Sequence, residues 1–250
     1  MSTGAFIWYD LATPDPAAAA AFYAAVIGWT PEPAPDADYT LFKTGAAARA
    51  GLMKLPAQLE AASVPPHWSG YVQVDDVDSM LGRAEAAGAT LRYGPSDIPD
   101  VGRFAVIADP GGAVFYLYAP REPAQEPAPM TPGTVAWREL HAREPESAFG
   151  FYASLFGWEQ TQAIPMGAMG TYQLFAYGGL DRGGMMQTQP GMPSHWLFYV
   201  AVDDVHAAVA RVTGGGGTIV FGPSEVPGGA WTLNCRDPQG AYFALVSPPK

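Results

Sequence analysis

Trp8-Tyr9-Asp10-Leu11, Asp15-Pro16, Phe22-Tyr23 and Gly28-Trp29 open the chain, and 129 residues later Trp137-Arg138-Glu139-Leu140, Glu144-Pro145, Phe151-Tyr152 and Gly157-Trp158 return in the same order. At a spacing of 128, His67-Trp68 returns as His195-Trp196, and Val74-Asp75-Asp76-Val77 as Val202-Asp203-Asp204-Val205. Gly94-Pro95-Ser96 likewise returns as Gly222-Pro223-Ser224, and Asp109-Pro110 as Asp237-Pro238. Two copies of a long unit mean duplicated domains rather than a solenoid.

Within each half a proline-bearing break, Pro56 to Pro66 and Gln187 to Pro193, separates two segments of similar size, so four modules result. Each module opens with an apolar strand followed by a capped helix. Asp15-Pro16 supplies an N-cap and a first-turn proline, Phe22 and Val26 share one helix face, and Gly28 suits a left-handed stop. Glu144-Pro145 starts the third helix in the same way, and the Asp75-Asp76 and Asp203-Asp204 pairs cap the other two. Strand signals follow every helix, at Tyr39 to Lys43, Gly51 to Leu55, Thr90 to Tyr93, Phe104 to Ala108 and Val114 to Tyr118. The unit is strand, helix and three strands, and four such βαβββ modules make an α+β protein. Residues 1–119 form the first domain, 120–132 a proline-rich linker poor in apolar side chains, and 133–250 the second domain.

At 250 residues and 48% hydrophobic content, folding buries roughly three quarters of the surface of the unfolded chain. Cys235 has no second thiol to pair with and lies in an apolar stretch, which reads as a small buried hydrophobe. A reducing, cytoplasmic setting is expected. The longest apolar stretch, Ala17 to Trp29, is too short to span a bilayer. Thirteen basic against 24 acidic residues give a net charge of −11, which repels phosphate backbones and anionic lipid, so neither nucleic acid nor membrane is an expected partner. A monomer or a homodimer is expected.

This order of motifs resembles the vicinal oxygen chelate (VOC) superfamily, the glyoxalase, bleomycin-resistance and dioxygenase group. It is most similar to the tandem-domain, glyoxalase-related branch with a Trp-x-Glu/Asp-Leu first strand. The resemblance spans Phe6 to Pro120 and Val135 to Pro248. It implies two tandem cup-shaped domains, each with eight strands from two modules and helices outside. Metal-dependent members hold a divalent ion in the cup with ligands from three strands. Carried over residue by residue, those positions are Trp8, Ser69 and Tyr116 in the first half and Trp137, Leu197 and Ala244 in the second. None suits zinc, nickel, manganese or iron. Two residues along a strand regain the same face, so Asp10 with His67, and Glu139 with His195, form offset acid and imidazole sets. A buried carboxylate must be paired, wet or at a rim.

The aromatic residues argue more strongly for a binding cup. Candidate ligand-binding residues are Trp8, Asp10, Met53, His67, Tyr71, Phe104, Tyr116, Trp137, Glu139, Met186, His195, Tyr199 and Trp231, mixing stacking rings, adaptable sulfur and a few polar groups. Core packing explains many of the same rings. Gly214 to Gly217 follows a helix, the wrong end for a phosphate cradle. His141 and His206 read as solvated, and Gly94 to Arg103 and Gly222 to Ala230 as loops, able to fold over a cup mouth. The first expectation is a protein that binds a small organic molecule, aromatic compounds included, without metal or other cofactor. The alternatives are a divalent-metal lyase, isomerase or dioxygenase using the offset sets, and a regulatory interaction module whose cups are packed shut.

Overall fold

The computed structural model describes residues 4–34, 38–122, 124 and 126–249. Its first half runs β1 (Phe6–Thr13), α1 (Pro16–Ile27), β2 (Thr30–Pro33), β3 (Tyr39–Thr44), β4 (Ala47–Lys54), a short α2 (Ala57–Ala61), β5 (His67–Gln73), α3 (Val77–Ala86), β6 (Thr90–Ile98), β7 (Gly102–Ala108) and β8 (Val114–Pro120). The second half runs β9 (Val135–Ala142), α4 (Pro145–Phe156), β10 (Glu159–Pro165), β11 (Thr171–Tyr177), β12 (Leu180–Gln187), β13 (His195–Ala201), α5 (Val205–Gly214), β14 (Thr218–Glu225), β15 (Trp231–Arg236) and β16 (Tyr242–Ser247). Two eight-stranded sheets result, ordered β2-β3-β4-β1-β5-β8-β7-β6 and β10-β11-β12-β9-β13-β16-β15-β14. This is the α+β architecture that the four modules predict, and each sheet takes both its modules from one half of the chain.

Local chemistry sets the helix ends. Asp15 accepts a hydrogen bond from the Ala18 N–H at 3.0 Å, Asp76 from Ser79 at 2.7 Å and Asp204 from His206 at 2.8 Å, so each satisfies an orphan donor of the first turn. Glu144 makes no such bond, and α4 starts on Pro145 alone. Gly28 and Gly157 end α1 and α4 with φ of 90° and 70°, where a side chain would be strained. The strand before each helix pairs in parallel with the last strand of its module, β1 with β4 and β9 with β12, an arrangement that needs the intervening crossover.

The proline-bearing segments after Gly94 and Gly222 differ from the loop expectation. β6 continues to Ile98 and β14 to Glu225, with register shifts between Tyr93 and Ser96 and between Phe221 and Ser224. A bulge lets a proline, which cannot donate to the ladder, pass without ending the strand. Among the described residues no helix is long and apolar enough to cross a membrane.

The compact units cut across the repeat. One comprises Met1–Ile7, Gly70–Glu126 and Trp137–Trp196, the other Trp8–Ser69, Pro127–Ala136 and Leu197–Lys250. In the first, Phe115 of β8 packs against Tyr152 and Phe156 of α4, and Trp158 stacks on Phe175 at 4.5 Å between ring centres. In the second, Phe22 and Tyr23 of α1 pack edge-on against Phe243 of β16. Helix burial therefore joins the second module to the third and the first to the fourth. The proline-rich segment between the halves is anchored at Glu126. Its carboxylate, 8% exposed, accepts from Arg138 at 2.7 Å and Tyr177 at 3.0 Å, with Arg182 at 3.3 Å. Pro123, one of the linker prolines, lies outside the described residues.

Candidate functional site

The most conspicuous repeated residues turn out to be architectural. In the first unit the Trp196 indole donates to the Tyr152 hydroxyl at 3.1 Å, and that hydroxyl donates to Asp109 Oδ2 at 3.0 Å. In the second unit Trp68 donates to Tyr23 at 2.9 Å and Tyr23 to Asp237 at 3.1 Å. The His-Trp, Phe-Tyr and Asp-Pro repeats thus converge on one buried chain in each unit. Burial pushes Asp109 and Asp237 above the usual carboxylate range and holds both tyrosines well above theirs. The Gly-Trp repeat works similarly, Trp29 donating to the Gly133 carbonyl and Trp158 to that of Gly4, each at 2.8 Å.

A second repeated arrangement centres on the two carboxylates. Glu139 is 7% exposed. Its Oε2 accepts from the Tyr172 hydroxyl at 2.8 Å, its Oε1 lies 2.7 Å from His141 Nε2, and Tyr172 accepts from the Trp137 indole at 2.8 Å. His141, expected to be solvated, lies instead on β9 with its ring parallel to that of His195, centres 4.7 Å apart. The signal was present, because Trp137, Glu139 and His141 alternate along one strand face. His195 Nδ1 is 2.9 Å from the Pro193 carbonyl, and burial holds the ring below the ordinary imidazole value. Gly184 is obligatory here, since a Cβ there would lie 2.3 Å from the Tyr172 ring. Met186 and His141 both line an open groove, which lies wholly within this unit.

The counterpart in the second unit is Asp10, 5% exposed, whose Oδ1 accepts from Tyr39 at 2.5 Å and from Trp8 at 2.9 Å. A Cβ on Gly51 would collide with both Tyr39 and Asp10. Met53 is half-buried and pairs in register with Tyr39 and Ala12. His67 is half-buried with Nδ1 2.8 Å from the Pro65 carbonyl. Tyr199 is buried on β13, and Trp231 is half-buried with the His206 ring 4.6 Å from its own. Ala12 stands where the second half has His141, so this centre lacks the imidazole.

Tyr71, Tyr116 and Phe104 come together in the first unit and are joined by Tyr93, which the sequence reading did not select. The ring centres are 4.1 Å apart from Tyr71 to Tyr116, 5.9 Å from Tyr116 to Phe104 and 5.9 Å from Phe104 to Tyr93. The row climbs one face of β5, β8, β7 and β6, from buried Tyr71 to Tyr93 at 58% exposure. The opposite face carries Ala105, Ile107, Phe115 and Leu117, all fully buried.

A divalent metal of the kind that the resemblance implies does not fit these residues. Leu197 and Ala244 have no donor atom, and the Trp137 N–H is committed to Tyr172. Both Glu139 oxygens, and Asp10 Oδ1, already accept hydrogen bonds. Among the described residues no three His, Cys, Asp or Glu side chains are placed to hold a metal ion. Cys235 is buried with its thiol pushed up to about 12, which removes it as a nucleophile.

Residues 7–118 match the glyoxalase-like domain family, and residues 134–245 the glyoxalase/bleomycin resistance protein/dioxygenase superfamily. The chain is 31% identical over 246 residues to CFP32 of Mycobacterium tuberculosis, whose name carries the word glyoxylase, covering 96% of this chain and 94% of that one. It is 30% identical over 260 residues to the anthracycline biosynthesis protein DnrV of Streptomyces peucetius, covering 97% and 93%. The Mn(II)-bound glyoxalase from Novosphingobium aromaticivorans superposes with a TM-score of 0.67 at 20% identity, covering 100% of this chain and 84% of that one. The 2,3-dioxygenase LapB from Pseudomonas sp. KL28 superposes at 0.68 with 14% identity, covering 100% and 94%. Those two likenesses establish the fold. The full-length sequence relatives and the two domain matches together show that the chain is a tandem-domain member of the vicinal oxygen chelate superfamily.

Proposed function

We propose that the protein binds a small planar organic molecule against the aromatic row of its first half, without a metal ion. The observation that carries this reading is the row itself, Tyr71, Tyr116, Phe104 and Tyr93, together with its absence from the second copy of the fold. At a spacing of 128 the second half has Tyr199, Ala244, Thr232 and Phe221 in those positions. The same sheet is therefore built without the row, and the fold does not require it. An open-ended line of rings on a strand face offers stacking surface to a flat ligand. Similarity to proteins named for anthracycline biosynthesis supports a fused-ring compound as the ligand class.

The test is equilibrium binding of 1-aminoanthraquinone, with perhydroanthracene, a saturated ring system of similar size, as the control. The planar probe is expected to bind more tightly. Tyr93→Ala and Phe104→Ala are each expected to weaken it by roughly two- to twelve-fold, the equivalent of about 0.5 to 1.5 kcal/mol of stacking. Equal binding of the two probes, or ladder variants that bind as well as the parent, would overturn the reading.

A further inference from the structure

The groove of the second half holds groups that the aromatic row does not use. Its volume is about 610 Å³, and its walls include His141, Arg143, Met169, Met186 and Met192. A carboxylate can only accept, so Glu139 Oε1 beside His141 Nε2 at 2.7 Å places the imidazole proton on Nε2. Tyr172, held in turn by Trp137, fixes the other oxygen of that carboxylate. His141 Nδ1 is left as a hydrogen-bond acceptor, with no partner among the described residues. Arg143, which directly follows β9, is exposed, and its guanidinium has neither an ion pair nor a hydrogen bond among the described residues. In a chain of net charge −11, a cation left without a carboxylate at a groove wall is a ready anion site. Three methionines supply an adaptable apolar wall, Met169 being 56% exposed.

We infer that this groove is a second ligand site, built for a small 2-hydroxy carboxylate with an apolar substituent. Arg143 pairs with the carboxylate, His141 Nδ1 accepts the hydroxyl hydrogen, and the methionines cover the apolar part. His141 and Arg143 are two residues apart, roughly 6.6 Å along an extended chain. A ligand whose anion and hydroxyl donor are neighbours, as in a 2-hydroxy acid, matches that short separation. Glu139 is a positioning residue in this arrangement, because it selects the tautomer. The inference uses none of the residues of the aromatic row and stands apart from that reading.

Calorimetric titration of the full chain with three probes tests it. The probes are 3-phenyllactate, 3-phenylpropanoate, which lacks the hydroxyl, and 3-phenyllactamide, which lacks the charge. Saturable binding of 3-phenyllactate is expected, with the other two weaker by about fivefold or more. Arg143→Gln should lower 3-phenyllactate to the level of the amide while leaving the amide unchanged. His141→Phe should lower it to the level of 3-phenylpropanoate. Glu139→Gln provides a second route to that result, because an amide that donates to Nε2 moves the ring proton to Nδ1 and abolishes the acceptor. Absence of 3-phenyllactate binding, equal affinity for the three probes, or an Arg143→Gln protein that binds like the parent would each overturn the assignment.

Discussion

Replacing Tyr152 by Phe removes one oxygen from the middle of a buried hydrogen-bond chain while leaving almost all of the packing in place. The ring keeps its stacking on Trp158 at 5.1 Å and its edge contact with Trp196 at 5.4 Å. What is lost is the acceptor for the Trp196 N–H and the donor to Asp109 Oδ2. Trp196 is 7% exposed and Asp109 3% exposed, so water does not readily replace either partner. Asp109 Oδ1 keeps the Ala113 N–H at 2.8 Å. A buried polar group left without its partner costs about 1 to 3 kcal/mol. Two such groups, one still partly satisfied, put the loss at about 2 to 4 kcal/mol. Tyr23→Phe makes the same change in the second unit, but Trp68 is half-buried and can turn to water. Its expected loss is smaller, about 1 to 3 kcal/mol. Equilibrium urea unfolding at pH 7 of the two variants measures both. A Tyr152→Phe loss below about 1 kcal/mol, or a Tyr23→Phe loss that exceeds it, would refute the claim that these repeats serve the architecture.

Glu126→Ala should cost about 3 to 5 kcal/mol, because it leaves the Arg138 guanidinium buried without its carboxylate; a urea midpoint within error of the parent would show the segment to be as loosely held as its prolines suggest. His195 gives a pH signature. Burial, with His141 adding to it and Glu139 and the Pro193 carbonyl opposing it, holds its folded value below the ordinary one, so the unfolded chain takes up the proton first as pH falls. Stability contributed by the neutral ring is present above the ordinary imidazole value and is lost as pH drops toward the depressed folded one. Unfolding free energy measured across that window should slope less in His195→Gln than in the parent, and an unchanged slope would remove His195 as the cause. The Cys235 thiol, buried and pushed up to about 12, should react with a disulfide reagent only on unfolding; stoichiometric labelling of the native protein is the contrary result.

Much of the fold could be read from short-range chemistry. The spacing of 128 to 129 residues predicts the modules, and Asp15, Asp76 and Asp204 each cap the helix that they precede. Such features are local, so sequence position alone reveals them. The Trp, Tyr and Asp of each buried chain were equally visible as repeats, but their meeting depends on a helix of one module packing on a strand of another. No spacing encodes that. Tyr39 and Tyr172 escaped notice because they are 133 residues apart, outside the repeat register, although each holds the carboxylate of its half. Taken singly, His141 reads as a solvated side chain. Continuing the alternation of Trp137 and Glu139 by one more pleat would have found it.

The two halves share what the fold needs and differ in what a ligand meets. Trp68, Tyr23 and Asp237 match Trp196, Tyr152 and Asp109 in both identity and bonding, and the acid of each first strand is held by a tyrosine over an obligatory glycine. Outside those constraints the copies diverge. Tyr116 and Phe104 in the first half face Ala244 and Thr232 at the equivalent places, while His141 in the second half replaces Ala12 of the first. Each of these exchanges falls on a strand position with at least one sequence neighbour in the buried packing, so each changes the chemistry of one sheet face while that neighbour keeps its support. Aromatic surface has gathered in one copy and a polar, acid-held imidazole in the other. Both fall in the compact unit that the second and third modules build, so duplication has let one unit draw its rings from one copy of the sequence and its acid-held imidazole from the other.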